Sequence, residues 1–128
     1  MTFKRDLEQF RAKTLDAADK ERRAIAQEVL TSVVMATPVD TGRARGNWQV
    51  SANTPKRNEI DRKSPNWSTV VAQEMQNVGK LGDSIHITNN LPYIERLEYG
   101  YSKQAPEGMV RKTLARVRAL IANRRLSK

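Results

Sequence analysis

The chain has 128 residues, no cysteine and a formal net charge of +9, with 38% hydrophobic and 29% charged residues. That length predicts one ordinary domain, 1–128, with a modest core and a large solvated or partner-facing surface. The absence of cysteine excludes disulfides and thiolate metal sites, no apolar run approaches a membrane span, and the charged start Met1-Thr2-Phe3-Lys4-Arg5-Asp6 is unlike a signal peptide.

Residues 3 to about 36 contain no proline or glycine and predict one long helix. At 100° per residue, Phe3, Leu7, Phe10, Ala18, Ile25 and Val29 form one apolar stripe, expected to face the core. Thr14 and Glu21 interrupt it, so the first half is expected to pack loosely or on a neighbouring subunit. Residues 29–36 are apolar nearly all round and should be buried. Pro38 disfavours helix at Thr37 and stops the element.

Asp40-Thr41-Gly42 reads as a turn, since the Asp side chain can bond nearby backbone and Gly tolerates positive φ. Residues 47–51 predict a strand with Trp48 and Val50 on one face. Residues 52–68 form a long loop rich in Asn, Pro and Ser, of the kind that is functional or mobile. A short helix is expected over 69–77, with a strand as the alternative that Val70-Val71 leaves open, and a turn over 79–83. Residues 84–88 alternate as a strand, with Ile85 and Ile87 inward and Ser84, His86 and Thr88 outward. Asn89-Asn90 ends that strand. A short helix follows from Pro92 to Leu97, closed by Gly100.

Ala105-Pro106-Glu107 opens the last helix, with proline at its first position. Val110, Leu114, Val117 and Ile121 follow the spacing of a buried face. Residues 105–128 hold seven basic and one acidic side chain, net +6, so two thirds of the +9 excess lies there. Arg111, Arg118 and Arg125 are spaced by sevens along one ridge, with Lys112 and Arg116 on another side. This basic surface has three readings: a solvated face, the lining of a DNA channel that attracts phosphates without reading sequence, or a dock for an acidic subunit. Tyr99 and Tyr101 alone lie near it, which is thin support for base stacking.

Enzyme chemistry finds little footing. Asp40-Thr41-Gly42 matches the triplet of retroviral-type aspartic proteases, but it follows a helix, and Arg43 beside it opposes the raised carboxyl pKa that a shared-proton dyad uses. His86 is the sole histidine, too few for a zinc site without cysteine. Gly42-Arg43-Ala44-Arg45-Gly46 lacks the spacing of a phosphate loop. Glu95 and Glu98 form an i, i+3 pair beside Arg96, which suits surface salt bridges. No catalytic, cofactor or metal residues are expected. Trp67, at the end of the polar loop, reads as a lid on the core or an interface anchor, and Tyr93 as a second possible anchor.

The run Thr37-Pro38-Val39-Asp40-Thr41-Gly42-Arg43-Ala44-Arg45-Gly46-Asn47-Trp48 resembles the signature of the tail-completion or neck proteins of long-tailed bacteriophages, the lambdoid gene-product-ten-like family. The pattern continues with Asn89-Asn90, Pro92-Tyr93, Glu98-Tyr99-Gly100, and Gln104-Ala105-Pro106 with Gly108-Met109 before the final helix. The resemblance covers residues from about 25 to 120. It implies an α+β fold in which the long first helix and the basic last helix pack on a small, mainly antiparallel sheet. It also implies a homo-oligomeric ring at the head–tail junction, of about six or twelve subunits, around a passage for double-stranded DNA. The expected partners are phage head-closure or adaptor proteins and tail-tube proteins, and the expected location is the virion, assembled in the bacterial cytoplasm. In that setting Pro38, Asp40, Thr41, Gly42, Asn89, Asn90, Pro92 and Gly100 are structural turns. The alternative expectation is a basic nucleic-acid-binding protein of host or phage.

Overall fold

A computed structural model of the protein describes residues 3–39, 42–64, 66–99 and 108–126. The architecture is α+β, with helices around a small two-stranded antiparallel sheet. In chain order the elements are α1 (Phe3–Ala36), α2 (Arg43–Gly46), β1 (Trp48–Ala52), α3 (Trp67–Glu74) running into a 3-10 turn (Met75–Asn77), β2 (Ile85–Asn89), α4 (Ile94–Glu98) and α5 (Val110–Leu126).

α1 runs unbroken to the residue before Thr37, as its lack of helix breakers requires. Only its second half is buried. Ala26, Leu30, Val33 and Val34 enter the core, where they meet Trp48, Val50, Val70, Val71, Val78 and Met109. This corrects the sequence expectation for the apolar stripe. The core takes a face rotated towards Leu30 and Val34, whereas Ile25 and Val29 are half-buried beside it, and Leu7, Phe10 and Ala18 are exposed. Residues 4–18 are exposed throughout.

β1 and β2 pair with Trp48 opposite Asn89, Val50 opposite Ile87 and Ala52 opposite Ile85. Alternation puts these six residues on one face, towards α1 and the core. The other face is covered by the long loop. Gln49 donates to the Asn58 carbonyl at 2.8 Å, the Ile60 amide donates to Asn47 Oδ1 at 2.8 Å, and the Asn90 side chain donates to the Lys56 and Asn58 carbonyls at 3.0 and 3.3 Å. A loop that sequence alone marks as functional or mobile is therefore pinned across the sheet, with the side chains of Asn47, Gln49 and Asn90 satisfying its backbone groups.

α5 also departs from its expected face. Met109, Thr113 and Val117 are buried, while Val110 and Leu114 stay 38% and 43% exposed. Thr113 Oγ1 donates to Ser32 Oγ on α1 at 2.9 Å, inside the protein. That polar contact, with Met109 filling the core, rolls the helix by one residue from the purely apolar choice.

Candidate functional site

Several described residues of the Thr37–Trp48 run meet where α1 hands over to the sheet. Thr37 Oγ1 donates to the Val33 carbonyl at 2.5 Å and accepts the indole N–H of Trp48 at 2.8 Å. Its one proton and one of its lone pairs are thereby used, and the buried indole keeps a partner. Arg45 reaches back to the Thr37 carbonyl at 2.9 Å and the Met35 carbonyl at 3.0 Å, satisfying acceptors left over at the α1 C-terminus. Pro38 is buried at the stop itself. Gly42 has φ 76°, the left-handed region that a glycine enters without a Cβ penalty, and its carbonyl accepts from the Gly46 and Ser64 amides. Asp40 and Thr41 lie outside the described residues, as does Gly100.

A guanidinium organises the other side of this joint. Arg62, in the long loop, donates to the Gly46 carbonyl at 2.8 Å, the Trp48 carbonyl at 2.9 Å and Glu74 Oε2 at 2.9 Å. Glu74 is buried on α3, and its second oxygen accepts the Val50 amide at 2.8 Å. The Arg62–Glu74 pair thus closes the outer edge of β1, taking the carbonyl and amide that a third strand would use. A Cβ on Gly46 would collide with the Arg62 carbonyl, so the loop sits this close only over glycine. Asn47 and Asn89 complete the set. The Asn47 side chain donates to the Arg43 carbonyl, and that of Asn89 to the Ala44 carbonyl, both at 2.9 Å. Sequence reading passed over Arg62 and Glu74. The available signal was Glu74 itself, a carboxylate on the same helical face as Val70 and Val71, where burial demands a partner.

Glu98 has a role other than a surface salt bridge. Its carboxylate accepts the Met109 and Val110 amides at 2.8 and 2.6 Å, at the start of α5. Burial alone would raise this carboxyl, but the amides of Val110, Met109 and Arg111 and the Arg111 guanidinium outweigh it and hold the group below the ordinary carboxylate range. Gly108, at φ 81°, permits the approach, since a Cβ there would strike Glu98. Negative charge at a helix N-terminus also suits the helix dipole.

The predicted basic ridge is divided by these contacts. Arg111 pairs with Glu98 at 3.3 Å and lies over the Tyr99 ring, 5.2 Å from its centroid. Arg116 pairs with Glu28 of α1 at 2.6 Å. Lys112 and Arg118 are exposed and make no hydrogen bond or ion pair among the described residues. The Arg125 side chain lies outside the described residues. Trp67 is 39% exposed at the first position of α3, beside its cap Asn66, and Tyr93 is similarly exposed before α4. Pro92 is exposed in the turn before it.

On the opposite side of the sheet from Arg62, an open groove of about 570 Å³ runs between α1 and β2, lined by Arg22, Ile25, Ala26, Val29, Asp83, Ile85 and Ile87. Arg22 closes one end by donating to the Val78 and Asp83 carbonyls. The Asn53 amide donates to the Ser84 carbonyl, which sets the ladder so that Ser51 with His86 and Gln49 with Thr88 exchange bonds. The backbone groups of Ile85, Ile87 and Asn89 consequently point to the free edge of β2, where no partner meets them among the described residues.

Among the described residues no cluster of His, Cys, Asp or Glu could hold a metal ion, and no helix is long and apolar enough to cross a membrane. No protein-family model, curated protein or solved structure matches the chain.

Proposed function

We propose that the protein is a structural component of a tailed-bacteriophage virion, forming a ring at the head–tail junction that joins the capsid connector to the tail around the DNA passage. The observation that carries this reading is the work done by the residues of the resemblance. Thr37 and Trp48 tie the end of α1 to the sheet, Asn47 and Asn89 bond the carbonyls of α2, and Glu98 holds the start of α5. A signature whose side chains are consumed in internal hydrogen bonds suits an assembly protein, whose task is to hold a shape. Within this reading Lys112 and Arg118 face DNA or an acidic partner, because Arg111 and Arg116 are already neutralised by Glu98 and Glu28. The partners are then further copies of the chain, a head-closure or adaptor protein and a tail-tube protein.

The test is negative-stain microscopy of lysates from a phage lacking the gene. DNA-filled heads beside separate finished tails are the expected result. Intact, infectious virions would overturn the reading. Steeply salt-dependent DNA binding by the isolated subunit would then favour the basic nucleic-acid-binding alternative, which the free charges of Lys112 and Arg118 also suit.

A further inference from the structure

Among the described residues, two surfaces of α1 lack partners, and they lie on one continuous stripe. Leu7 and Phe10 are 53% and 70% exposed in the half of the helix that leaves the body. Ile25 and Val29, further along the same stripe, are half-buried and line the groove against Ile85 and Ile87. We propose that the first half of α1 from a second copy of this chain packs into this groove, led by Leu7 and Phe10.

Three observations select that occupant. First, the helix cannot fill its own groove. α1 has no proline or glycine at which to bend, and Leu7 lies about 33 Å from Val29 along its axis. Ridge and groove on one rigid rod can meet only between molecules. Second, the charges suit a self-partner. Residues 4–22 carry six basic side chains (Lys4, Arg5, Arg11, Lys13, Lys20, Arg22) and five acidic ones (Asp6, Glu8, Asp16, Asp19, Glu21), a net of +1. A segment so balanced is neither drawn to a polyanion nor repelled by its own copy. Third, the groove runs beside the free edge of β2, whose residues Ile85-His86-Ile87-Thr88-Asn89 include no lysine, acid or proline to guard it. β1 has its edge closed from within by Arg62 and Glu74. Covering by a helix is one of the ways an exposed edge is made safe.

Leu7 and Val29 stand equally far from Ala18 on either side, and Ala18 is small and exposed. Two antiparallel α1 helices crossing at Ala18 therefore place each Leu7 against the other copy's Val29. If the two helices instead run parallel, staggered so that one copy's Leu7 meets the next copy's Val29, the contact is passed on head to tail and builds a ring or an open chain. The inference rests on the ring reading for the assembly it serves, while the contact itself is argued from α1.

The absence of cysteine supplies a direct experiment. Full-length chains carrying Leu7→Cys and Val29→Cys separately are mixed and oxidised, with Gln9→Cys, on the opposite face of α1, replacing Leu7→Cys in the control. A mixed disulfide between the Leu7→Cys and Val29→Cys chains, absent from the control, is expected. A mixed disulfide no more abundant than the control's would overturn the contact. In sedimentation, the double variant Leu7→Glu/Phe10→Glu should raise the concentration needed for self-association roughly a hundredfold or more while circular dichroism stays that of the wild type. Unchanged assembly of this variant, or a wild type that is monomeric at every concentration, would also overturn it. If the wild type assembles but neither test responds, the groove contact fails and the ring reading stands. A positive cross-link in a chain whose gene is dispensable for virions keeps the contact and removes the phage role.

Discussion

Around Trp48, the polar groups of three elements and a loop are tied to one another, and apolar side chains fill the space between. Along residues 4–18 of α1, about 22 Å of helix stands exposed on every side, with its own backbone ladder and short-range side-chain bonds such as Thr14 Oγ1 to the Phe10 carbonyl as internal support. Arg22 and Arg23 mark the boundary, since they bond the carbonyls of Val78, Gly79 and Asp83 and attach the helix to the body. The difference separates two sources of order. The joint is held by packing and by satisfied buried polar groups. An isolated helical stretch as short as the arm is marginal in water and draws its stability from whatever it packs against.

Substitutions at five positions sharpen that contrast. The largest loss is expected at Arg62→Ala, which leaves Glu74 buried without its cation and frees the Gly46 and Trp48 carbonyls. Breaking one partner of such a pair costs about 3–5 kcal/mol, measurable by urea unfolding of the isolated subunit. Next is Thr37→Val, which keeps the shape but strands the Trp48 indole N–H, at a cost of about 1–3 kcal/mol. Trp48→Phe in the Thr37→Val background should then add less than Trp48→Phe alone, because the shared hydrogen bond is already gone.

Glu98→Gln comes third, with an expected loss of about 0.5–2 kcal/mol, as for other helix N-terminal caps. Its effect depends on pH. The folded carboxyl sits below its ordinary value, so its contribution is complete above the unfolded pKa of about 4.3 and disappears as pH falls through the lower folded pKa. Melting curves of wild type and Glu98→Gln should therefore differ most at neutral pH and converge in strong acid. A gap that persists unchanged into strong acid would show that the carboxylate charge is not what anchors α5. The smallest effect is expected at Phe10→Ala, within about 0.5 kcal/mol of the wild type when the subunit is dilute, because an exposed side chain on the arm contributes little to the folded monomer.

The parts legible in the sequence are those set by local rules. The extent of α1 follows from a run without breakers that stops at Pro38, and β2 from clean alternation around Ile85 and Ile87. The faces were harder. Periodicity found a true apolar stripe on α1, yet the stripe lines a groove, because the core is set by where Trp48, Val50 and Met109 stand in space. On α5, counting only apolar residues selected Val110 and Leu114, and missed that Thr113 is buried against Ser32. The joint was legible as a cluster of turn residues and illegible as a network. Arg62 looks like one more charge in a polar loop, and only the fold brings it to Gly46, Trp48 and Glu74. Glu98 read as a surface ion, since its partners Met109 and Val110 are too far along the chain for spacing rules to link them.

The proposed contact joins an arm that packs against another copy to a body that is complete alone. Hydrogen-exchange mass spectrometry on dilute and concentrated protein tests this most directly. Fast exchange over residues 4–18 in the dilute subunit and marked protection of the same peptides on assembly are expected, while β1 stays protected in both. Equal protection of arm and β1 in the dilute subunit, or an arm that exchanges freely in the assembled state, would contradict it.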